Sequence, residues 1–245
     1  MLGTGLTERL FRRRAPSPKD IYSKRSYSQC GEDMLVDYVF RLRGIDRPSY
    51  LDIGANHPYF ISNTACFYEK GCRGINVEPN PQLIPLFHKY RPEDITLNLG
   101  VGNQAGELEF FIMEDDTLST FSIDERDLLL QSGKRQATVA RVSIASISSI
   151  LDDHFGGHFP DFLSLDAEGM DINILRSVDF DRHHPKVICV EAAEYSPIGA
   201  GARRLDLIEF LSSKGYFEYA STNLNSIMVK KEFWDASAPG EWTRM

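Results

Sequence analysis

Short apolar runs recur along most of this chain, separated by polar, glycine-containing or amphipathic segments. Five runs have the apolar character of buried strands, and they lie at 50–52, 74–77, 95–99, 162–165 and 186–190. Between these runs, apolar residues at helical spacing predict helices, the last of them stopped by a glycine. Alternating strands and helices predict an α/β domain with a doubly wound, mostly parallel sheet.

Two regions depart from this alternation. Alternating patterns over 107–113 and 137–144 predict two further strands. An acidic, hydroxyl-rich loop at 114–122 and a short helix at 128–131 are predicted between them. Near the end, strands over 216–220 and 226–230 are separated by a turn-sized segment and predict an antiparallel hairpin. The expected domain is therefore a parallel sheet with a closing hairpin and a β-meander insertion, and we expect the insertion to cover the ligand side of the sheet.

Residues 50–56 are the stretch around which the chain is organised. The first predicted strand ends at Asp52, and Gly54 and Ala55 allow a backbone to approach a ligand closely. Glu78 ends the next strand, 26 residues further on, where nucleotide-binding folds place an acid that accepts hydrogen bonds from ribose hydroxyls. The pair predicts a site for a nucleoside cofactor.

Carboxylates recur at the predicted carboxyl ends of strands. The four are Asp52, Glu78, Asp166 and Glu191. Ligands of doubly wound sheets bind at this edge, so the four residues predict a functional site there.

Capping and turn signals define two flanking segments. Ser28 could cap the helix that follows it, with Glu32 complementing the helix dipole. Alternatively, Gln29 and Glu32 could fold over the cofactor pocket as a lid. Residues 56–58 are predicted to open the next helix, because Pro58 suits a first helical turn.

Charge is unevenly divided along the chain. Residues 1–25 carry seven Lys and Arg against two acids, so the net charge of this arm is +5. The whole chain has a net charge of −8, and the remaining residues therefore have a net charge of −13. A body this acidic repels a phosphate backbone, and we expect no nucleic-acid partner. We interpret the arm as a flexible, solvated tail that could make weak contact with an anionic membrane surface, and residues 26–245 as one domain.

The composition bears on location and redox state. No apolar run approaches the roughly 20 residues that cross a bilayer, and no secretory leader pattern is recognised, so we expect a cytoplasmic protein without a transmembrane segment. The four cysteines lack metal-binding spacing and are expected to be reduced thiols.

Four motifs follow one another in a fixed order: SQCGED at 28–33, LDIGAN at 51–56, GINVEPN at 74–80 and DFLSLDAEG at 161–169. Together they resemble the FkbM family of S-adenosylmethionine-dependent methyltransferases. The resemblance implies a seven-stranded, Rossmann-like methyltransferase fold and O-methylation, commonly of sugar or polyketide hydroxyls. The chain departs from the family at His57-Pro58, because many members carry a glycine at the second position, and it is similar to a subgroup whose loop reads GANHP.

The resemblance also implies residues that bind S-adenosylmethionine. The 52–56 loop would hold the methionyl portion and Glu78 the ribose, with Asn98 a weaker candidate for the adenine edge. The implied cofactor-binding residues are Gln29, Glu32, Asp52, Gly54, Ala55, Asn56, Glu78 and Asn80.

Methyl transfer is an in-line displacement at a sulfonium methyl, so the protein must position an acceptor hydroxyl and remove its proton. Three catalytic residues are predicted as candidate bases: Asp166, Glu168 and His57. Helix capping by the carboxylates and a loop-holding role for the histidine are the structural alternatives. Asp166, Glu168 and Glu191 could instead bind magnesium or calcium, although their spacing does not require a metal and none is assigned.

The function predicted from these observations is O-methylation of a sugar, a glycoconjugate or a related natural product, with a small-molecule or glycan acceptor. A catalytically silent cofactor-binding scaffold is one alternative. A nucleotide-linked dehydrogenase is another, disfavoured by the lack of a G-x-G-x-x-G run. Acceptor specificity is expected to lie in 114–140 and 192–203, and no oligomeric state is predicted.

Overall fold

The computed structural model describes residues 17–167, 169–193 and 201–236. Within these ranges the strands are β1 (Tyr50–Ile53), β2 (Gly74–Val77), β3 (Ile95–Leu97), β4 (Gly100–Val101), β5 (Gly106–Met113), β6 (Gln136–Ala145), β7 (Phe162–Leu165), β8 (Val187–Glu191), β9 (Tyr216–Ser221) and β10 (Asn225–Lys230). The helices are α1 (Pro18–Tyr22), α2 (Glu32–Leu42), α3 (Ala65–Glu69), α4 (Ile84–Tyr90), α5 (Ile123–Gln131), α6 (Ile147–Phe155), α7 (Asp171–Arg176), α8 (Leu205–Ser213) and α9 (Lys231–Asp235).

Seven strands form the central sheet in the order β3-β2-β1-β7-β8-β10-β9. Strand β1 pairs in parallel with β2 on one side and with β7 on the other. Strand β10 runs antiparallel to both β8 and β9, which gives the predicted closing hairpin. The α/β, Rossmann-like fold class with seven strands is thus confirmed. The chain reverses its direction of winding between β1 and β7, and ligands bind at this kind of switch point.

Helices pack on both faces of the sheet, and its central strands β1 and β7 are therefore buried on both sides. One cluster joins the sheet to α6, α7 and α8 through residues such as Ile150, Leu175 and Leu211. The other joins it to α2 and α3 through Phe40 and Phe67. This two-sided packing holds the carboxyl ends of β1, β2, β7 and β8 in fixed positions.

The predicted insertion forms a second, three-stranded sheet in the order β4-β6-β5. The ring of Phe110, in β5, contacts that of Phe121, with the ring centroids 4.7 Å apart and the ring planes tilted by 53°. Helix α5 begins five residues earlier than the sequence-based prediction of 128–131, because the Ser122 hydroxyl accepts the backbone N–H of Glu125 at 3.2 Å and caps it. The insertion lies over the carboxyl edge of the main sheet, as expected.

The segment after β1 differs from its prediction. Residues 56–58 do not open a helix, and α3 begins only at Ala65. The Nδ1 atom of His57 accepts the backbone N–H groups of Tyr59 at 3.1 Å and Phe60 at 2.9 Å. Such side-chain bonds compete with helix formation, and a proline fits a tight turn as readily as a first helical turn. The predicted helix start was therefore wrong.

The N-terminal part of the described chain contains two short features. Helix α1 lies inside the predicted 1–25 arm, of which residues 1–16 lie outside the described ranges. Helix α2 begins after Gly31, and the Ser28 hydroxyl accepts the N–H of Asp33 in its first turn at 3.3 Å. No helix in the described ranges has the length and apolar character needed to cross a membrane.

Candidate functional site

A cavity of about 560 Å³ opens at the carboxyl ends of β1, β2, β7 and β8. This volume is within the range of small-molecule sites. One wall comes from the insertion, and a second comes from residues 29–30 together with 222–224. The lining side chains used below are Gln29, Cys30, Asn56, Glu78, Pro79, Leu99, Phe110, Asp116, Phe121, Glu125, Asp166, Glu191 and Thr222.

Gly54 brings three strand ends together at the floor of the cavity. Its φ is +76°, and a Cβ atom there would lie 1.7 Å from the backbone oxygen of Asp166, so no other residue fits. The N–H groups of Gly54 and Ala55 both donate to the Val77 carbonyl, at 2.9 and 3.1 Å. The loop after β1 is therefore fixed against both β2 and β7.

Glu78 lies one residue beyond β2 and is 3% exposed. Its Oε2 accepts the N–H of Asn56 at 2.7 Å, and its Oε1 accepts the N–H of Asn80 at 2.6 Å. Burial raises the pKa of Glu78 to about 8, although these two hydrogen bonds oppose the rise. A carboxylate can accept about four hydrogen bonds, so Glu78 keeps capacity for hydroxyl donors from a ligand.

Asn56 follows the glycine turn with a φ of 48°, a left-handed conformation that asparagine tolerates. It lines the cavity, and its Oδ1 atom is buried without a hydrogen-bond donor among the described residues. A buried acceptor of this kind is a position where a ligand donor would be stabilised.

Asp52 has a different environment from Glu78. It lies within β1, in register with Asn76 of β2 and Ser164 of β7. Its Oδ2 accepts the hydroxyl of Thr64 at 2.6 Å, and burial raises its pKa. Asp52 does not line the cavity, and its side chain belongs to a polar network on the other side of the loop.

Arg91 is the centre of that network and has no exposed side-chain surface. It forms an ion pair with Asp94 at 2.7 Å. It also donates to the Tyr50 hydroxyl and to Thr64 Oγ1, both at 3.0 Å. The network therefore anchors α4, β1 and the loop before α3 to one another.

Glu32 stabilises the second wall of the cavity, formed by 29–30 and 222–224, through hydrogen bonds. Its Oε1 accepts hydrogen bonds from Thr222 at 2.7 Å and Asn225 at 3.0 Å, while its Oε2 accepts the N–H of Cys30 at 2.8 Å. Burial alone would raise the pKa of Glu32, but these hydrogen bonds outweigh it and lower the pKa. Gln29 lines the cavity, whereas Glu32 is completely buried behind it.

Four further carboxylates line the cavity, Asp116, Glu125, Asp166 and Glu191. Asp116 lies close enough to Glu78 to contribute to the rise in its pKa. Burial, followed by the negative charges of Asp166 and Asp171, raises the pKa of Glu191. Among the described lining residues there is no lysine, arginine or histidine. Arg204, which does not line the cavity, opposes part of the rise in the pKa of Glu191.

The structure brings together only part of the residue set predicted from the sequence. The predicted residues that line the cavity are Gln29, Gly54, Asn56, Glu78 and Asp166. Those that do not are Glu32, Asp52, Ala55, His57 and Asn80. Glu168 lies outside the described residues.

Three of the predicted residues hold loops. His57 is fixed by the two N–H groups of its own turn, and burial lowers its pKa. Asn80 Oδ1 accepts the N–H of Gln82 at 3.0 Å. Asn98 donates to the Glu78 carbonyl at 2.9 Å, which supports the turn after β2.

Sequence reasoning predicted that the insertion covers the ligand side of the sheet, but it did not identify which of its side chains line the cavity. Asp116, Glu125, Phe110 and Phe121 all reach the cavity. The signal available was Ser122 followed three residues later by Glu125, a capping pattern that marks the start of α5. Within the described ranges, no group of three or more His, Cys, Asp or Glu side chains is arranged to hold a metal ion.

A family model described as "Methyltransferase FkbM domain" matches residues 52–217. No curated protein sequence matches the chain significantly. A Staphylococcus aureus structure described as a caffeoyl-CoA O-methyltransferase matches with 10% identity and a TM-score of 0.47, covering 86% of this chain and 88% of that one.

Two further solved structures match less closely. A Burkholderia thailandensis 1,6-didemethyltoxoflavin-N1-methyltransferase with bound S-adenosylhomocysteine matches with 13% identity and a TM-score of 0.40, over 82% of this chain and 77% of that one. A Geobacter metallireducens precorrin-6y C5,15-methyltransferase matches with 16% identity and a TM-score of 0.40, over 80% of this chain and 85% of that one. At these values the matches assign neither a ligand nor an acceptor to this chain.

Proposed function

Because the chain belongs to the FkbM family of methyltransferases, we propose that it transfers a methyl group from S-adenosylmethionine to a hydroxyl of a sugar, a glycoconjugate or a related natural product. The observation that carries the proposal is the buried carboxylate of Glu78 in the cavity wall at the end of β2. An acid at this point of an α/β sheet accepts hydrogen bonds from ribose hydroxyls.

The residues around the cavity fit this cofactor. Glu78 can accept further hydrogen bonds, and Asn56 offers a buried oxygen that lacks a donor among the described residues. Pro79, Leu99 and Phe121 supply apolar lining on which an adenine ring can pack. When bound, the cofactor supplies an electrophilic methyl group on a sulfonium ion.

Asp166 is the proposed base. It lies directly after β7 and lines the cavity, so it can reach an acceptor hydroxyl there. The turn that follows is held by the Ala167 N–H, which donates to Asp171 at 2.8 Å. His57 has no part in this proposal, because it lies outside the lining and its Nδ1 atom already accepts two hydrogen bonds.

Calorimetric titration with S-adenosylmethionine and S-adenosylhomocysteine tests the cofactor assignment. The exposed control variant Glu209→Gln is expected to bind each compound with the same affinity as wild type. Glu78→Gln is expected to bind each compound at least tenfold more weakly than wild type. A wild-type protein that binds neither compound refutes the proposal.

Transfer of a ¹³C-labelled methyl group to neutral sugars and glycans tests the acceptor atom. The NMR shift of the labelled methyl distinguishes an O-methyl product from an N-methyl or C-methyl product. An N-methyl or C-methyl product would exclude O-methylation.

Asp166→Asn tests the proposed base. The variant is expected to lose turnover by at least a hundredfold, while its affinity for S-adenosylhomocysteine stays within threefold of wild type.

A further inference from the structure

The second wall of the cavity is built from two segments that are distant in the chain. Residues 29–30 precede α2, and residues 222–224 form the turn between β9 and β10. Glu32, which is completely buried, accepts the Cys30 N–H at 2.8 Å and the Thr222 hydroxyl at 2.7 Å. One carboxylate therefore holds both segments against each other.

Each segment is also fixed by hydrogen bonds of its own. Asp33, which is buried in the first turn of α2, accepts the Tyr27 N–H at 2.8 Å and the Ser28 hydroxyl at 2.9 Å. The carbonyl of Leu224 accepts the N–H of Ala192 at 2.7 Å, which ties the turn to the end of β8. The second wall is therefore held in place by contacts within the chain.

The position of this wall on the sheet separates it from the proposed cofactor contacts. Glu78 and Asn56 follow β2 and β1, whereas the 222–224 turn precedes β10. In the sheet order, β10 is four strand spacings from β2, a distance of about 19 Å. The proposed base, Asp166, follows β7, which lies between these strands. A molecule whose hydroxyl reaches Asp166 can therefore extend to the second wall without displacing the contacts of Glu78.

The side chains of the second wall have the chemistry to bind a sugar. Gln29 is exposed and lines the cavity, and its amide supplies two N–H donors and an acceptor oxygen. Each hydroxyl of a sugar also donates and accepts, so it can pair with this amide in either direction. Leu224 lines the same wall and offers an apolar surface to the C–H groups of a sugar ring.

We propose that the second wall is a subsite for the methyl acceptor, in which Gln29 binds a hydroxyl of the acceptor and Glu32 positions Gln29 opposite the 222–224 turn. This inference rests on the proposed methyltransferase function and adds residues to its acceptor site. It differs from the expectation drawn from the sequence, which gave Gln29 and Glu32 to the cofactor and acceptor specificity to 114–140 and 192–203.

Alkylation of Cys30 tests the proposal before any acceptor is known. Cys30 adjoins Gln29, lines the cavity and is exposed, whereas Cys66, Cys72 and Cys189 are buried. Saturating S-adenosylhomocysteine is expected to slow its modification by iodoacetamide less than threefold, as measured by mass spectrometry. The intrinsic reactivity of the thiol cancels, because both rates come from the same protein.

The outcomes of this experiment separate the inference from the proposed function. Cys30→Ser gives the background rate, and calorimetry on the same preparation shows whether S-adenosylhomocysteine binds. Protection of threefold or more with binding intact would place 29–30 in the cofactor site, which overturns the inference and leaves the methyltransferase assignment standing. A protein that does not bind S-adenosylhomocysteine refutes the proposed function and the inference with it.

Kinetics with the acceptor found by transfer of a labelled methyl group give a second test. Gln29→Ala is expected to raise the KM for the acceptor at least fivefold, while kcat and the KM for S-adenosylmethionine stay within threefold of wild type. Gln104→Ala, at an exposed glutamine outside the cavity lining, should change none of these constants. A smaller rise in the acceptor KM, or an equal rise in the KM for S-adenosylmethionine, overturns the proposal.

Glu32→Gln tests the positioning role. Glutamine keeps one acceptor oxygen, so it cannot hold both segments, and the KM for the acceptor is expected to rise at least threefold. Thr222→Val removes only the hydroxyl that joins the turn to Glu32 and should have the same effect if Glu32→Gln does not fold. Affinity for S-adenosylhomocysteine should stay within threefold of wild type in both variants. An unchanged acceptor KM in Thr222→Val overturns the role of Glu32.

Discussion

Asp52 and Glu78 are two buried acids on neighbouring strands, and their environments differ sharply. Each is 3% exposed. Asp52 accepts a side-chain hydroxyl within a network centred on Arg91, while Glu78 accepts two loop N–H groups and lines the cavity. The comparison separates a carboxylate that supports the loop from one that is available to a ligand, although both stand near strand ends in the sequence.

Removing Arg91 tests the structural side of this comparison and has the largest expected effect. Arg91→Met leaves Asp94 buried without its cation, which is expected to cost about 3–5 kcal/mol in the free energy of unfolding. Urea denaturation measures the loss. Arg73→Met breaks an exposed ion pair with Glu93 and is expected to cost no more than about 1 kcal/mol. Equal losses would show that the buried network adds no special stability.

Glu78→Gln tests the proposed role of Glu78 in binding the cofactor. The variant loses hydrogen bonds to an ionised acceptor, which is expected to weaken S-adenosylhomocysteine binding by about 1.5–3 kcal/mol. Its free energy of unfolding is expected to fall by about 1–3 kcal/mol, because glutamine offers one oxygen to the two backbone N–H groups that Glu78 accepts, so binding is measured at temperatures where the variant is folded. Unchanged affinity measured by calorimetry would remove Glu78 from the cofactor site.

Asp52→Ala is expected to differ from Glu78→Gln in its effect on affinity. Loss of the Thr64 hydrogen bond and of a charge near Arg91 should lower the free energy of unfolding by about 1–3 kcal/mol. Affinity for S-adenosylhomocysteine should stay within threefold of wild type at temperatures where the variant is folded. A tenfold loss of affinity without a loss of stability would restore the methionyl-binding role expected from the sequence.

The sequence predicted the sheet well because each central strand is a continuous apolar run bounded by polar residues. It could not separate Asp52 from Glu78, because the distinction depends on where each strand ends. Strand β1 continues to Ile53 and keeps Asp52 in register with Asn76, whereas β2 ends at Val77 and leaves Glu78 outside the ladder. The two strands are equally long, and Glu78 lies two positions further along the register than Asp52. An offset of two positions is within the usual error in predicted boundaries.

The insertion shows a second limit of prediction. Its strands and its position over the sheet were expected, but the approach of Glu125 and Phe121 to the cavity depends on the capped start of α5 and on packing against Phe110. The loop at 56–58 was missed for a similar reason, because a single side chain, His57, determines its backbone path.

The pH dependence of S-adenosylhomocysteine binding gives a further test of the role of Glu78. Its pKa is about 8 in the free protein, and ribose hydroxyls donate to the ionised form, so binding must release a proton below that pH. Affinity for S-adenosylhomocysteine is expected to fall up to tenfold for each unit below about pH 8 and to be constant above it. Calorimetry in buffers of different ionisation enthalpy measures the released proton. Glu78→Gln should show neither effect.

Substitution of His57 is expected to have the smallest effect on stability and turnover. It tests the loop that follows Asp52 and precedes Glu78 in the chain. His57→Ala removes two hydrogen bonds to backbone N–H groups and is expected to cost about 1 kcal/mol in the free energy of unfolding. Turnover should stay within threefold of wild type with an unchanged pH profile, because the proposed base is Asp166. His57→Asn keeps an acceptor near the same position and should recover part of the stability.

The pH profile is what separates a loop-holding histidine from a catalytic one. Burial lowers the pKa of His57, so a histidine base would give a rate that falls only at pH values below about 6.5. If His57→Ala abolished that acidic limb together with a hundredfold loss of turnover, while leaving cofactor affinity intact, His57 would replace Asp166 as the base. A loss of turnover that parallels a loss of stability, and that His57→Asn reverses, instead supports its role in holding the turn at 57–60.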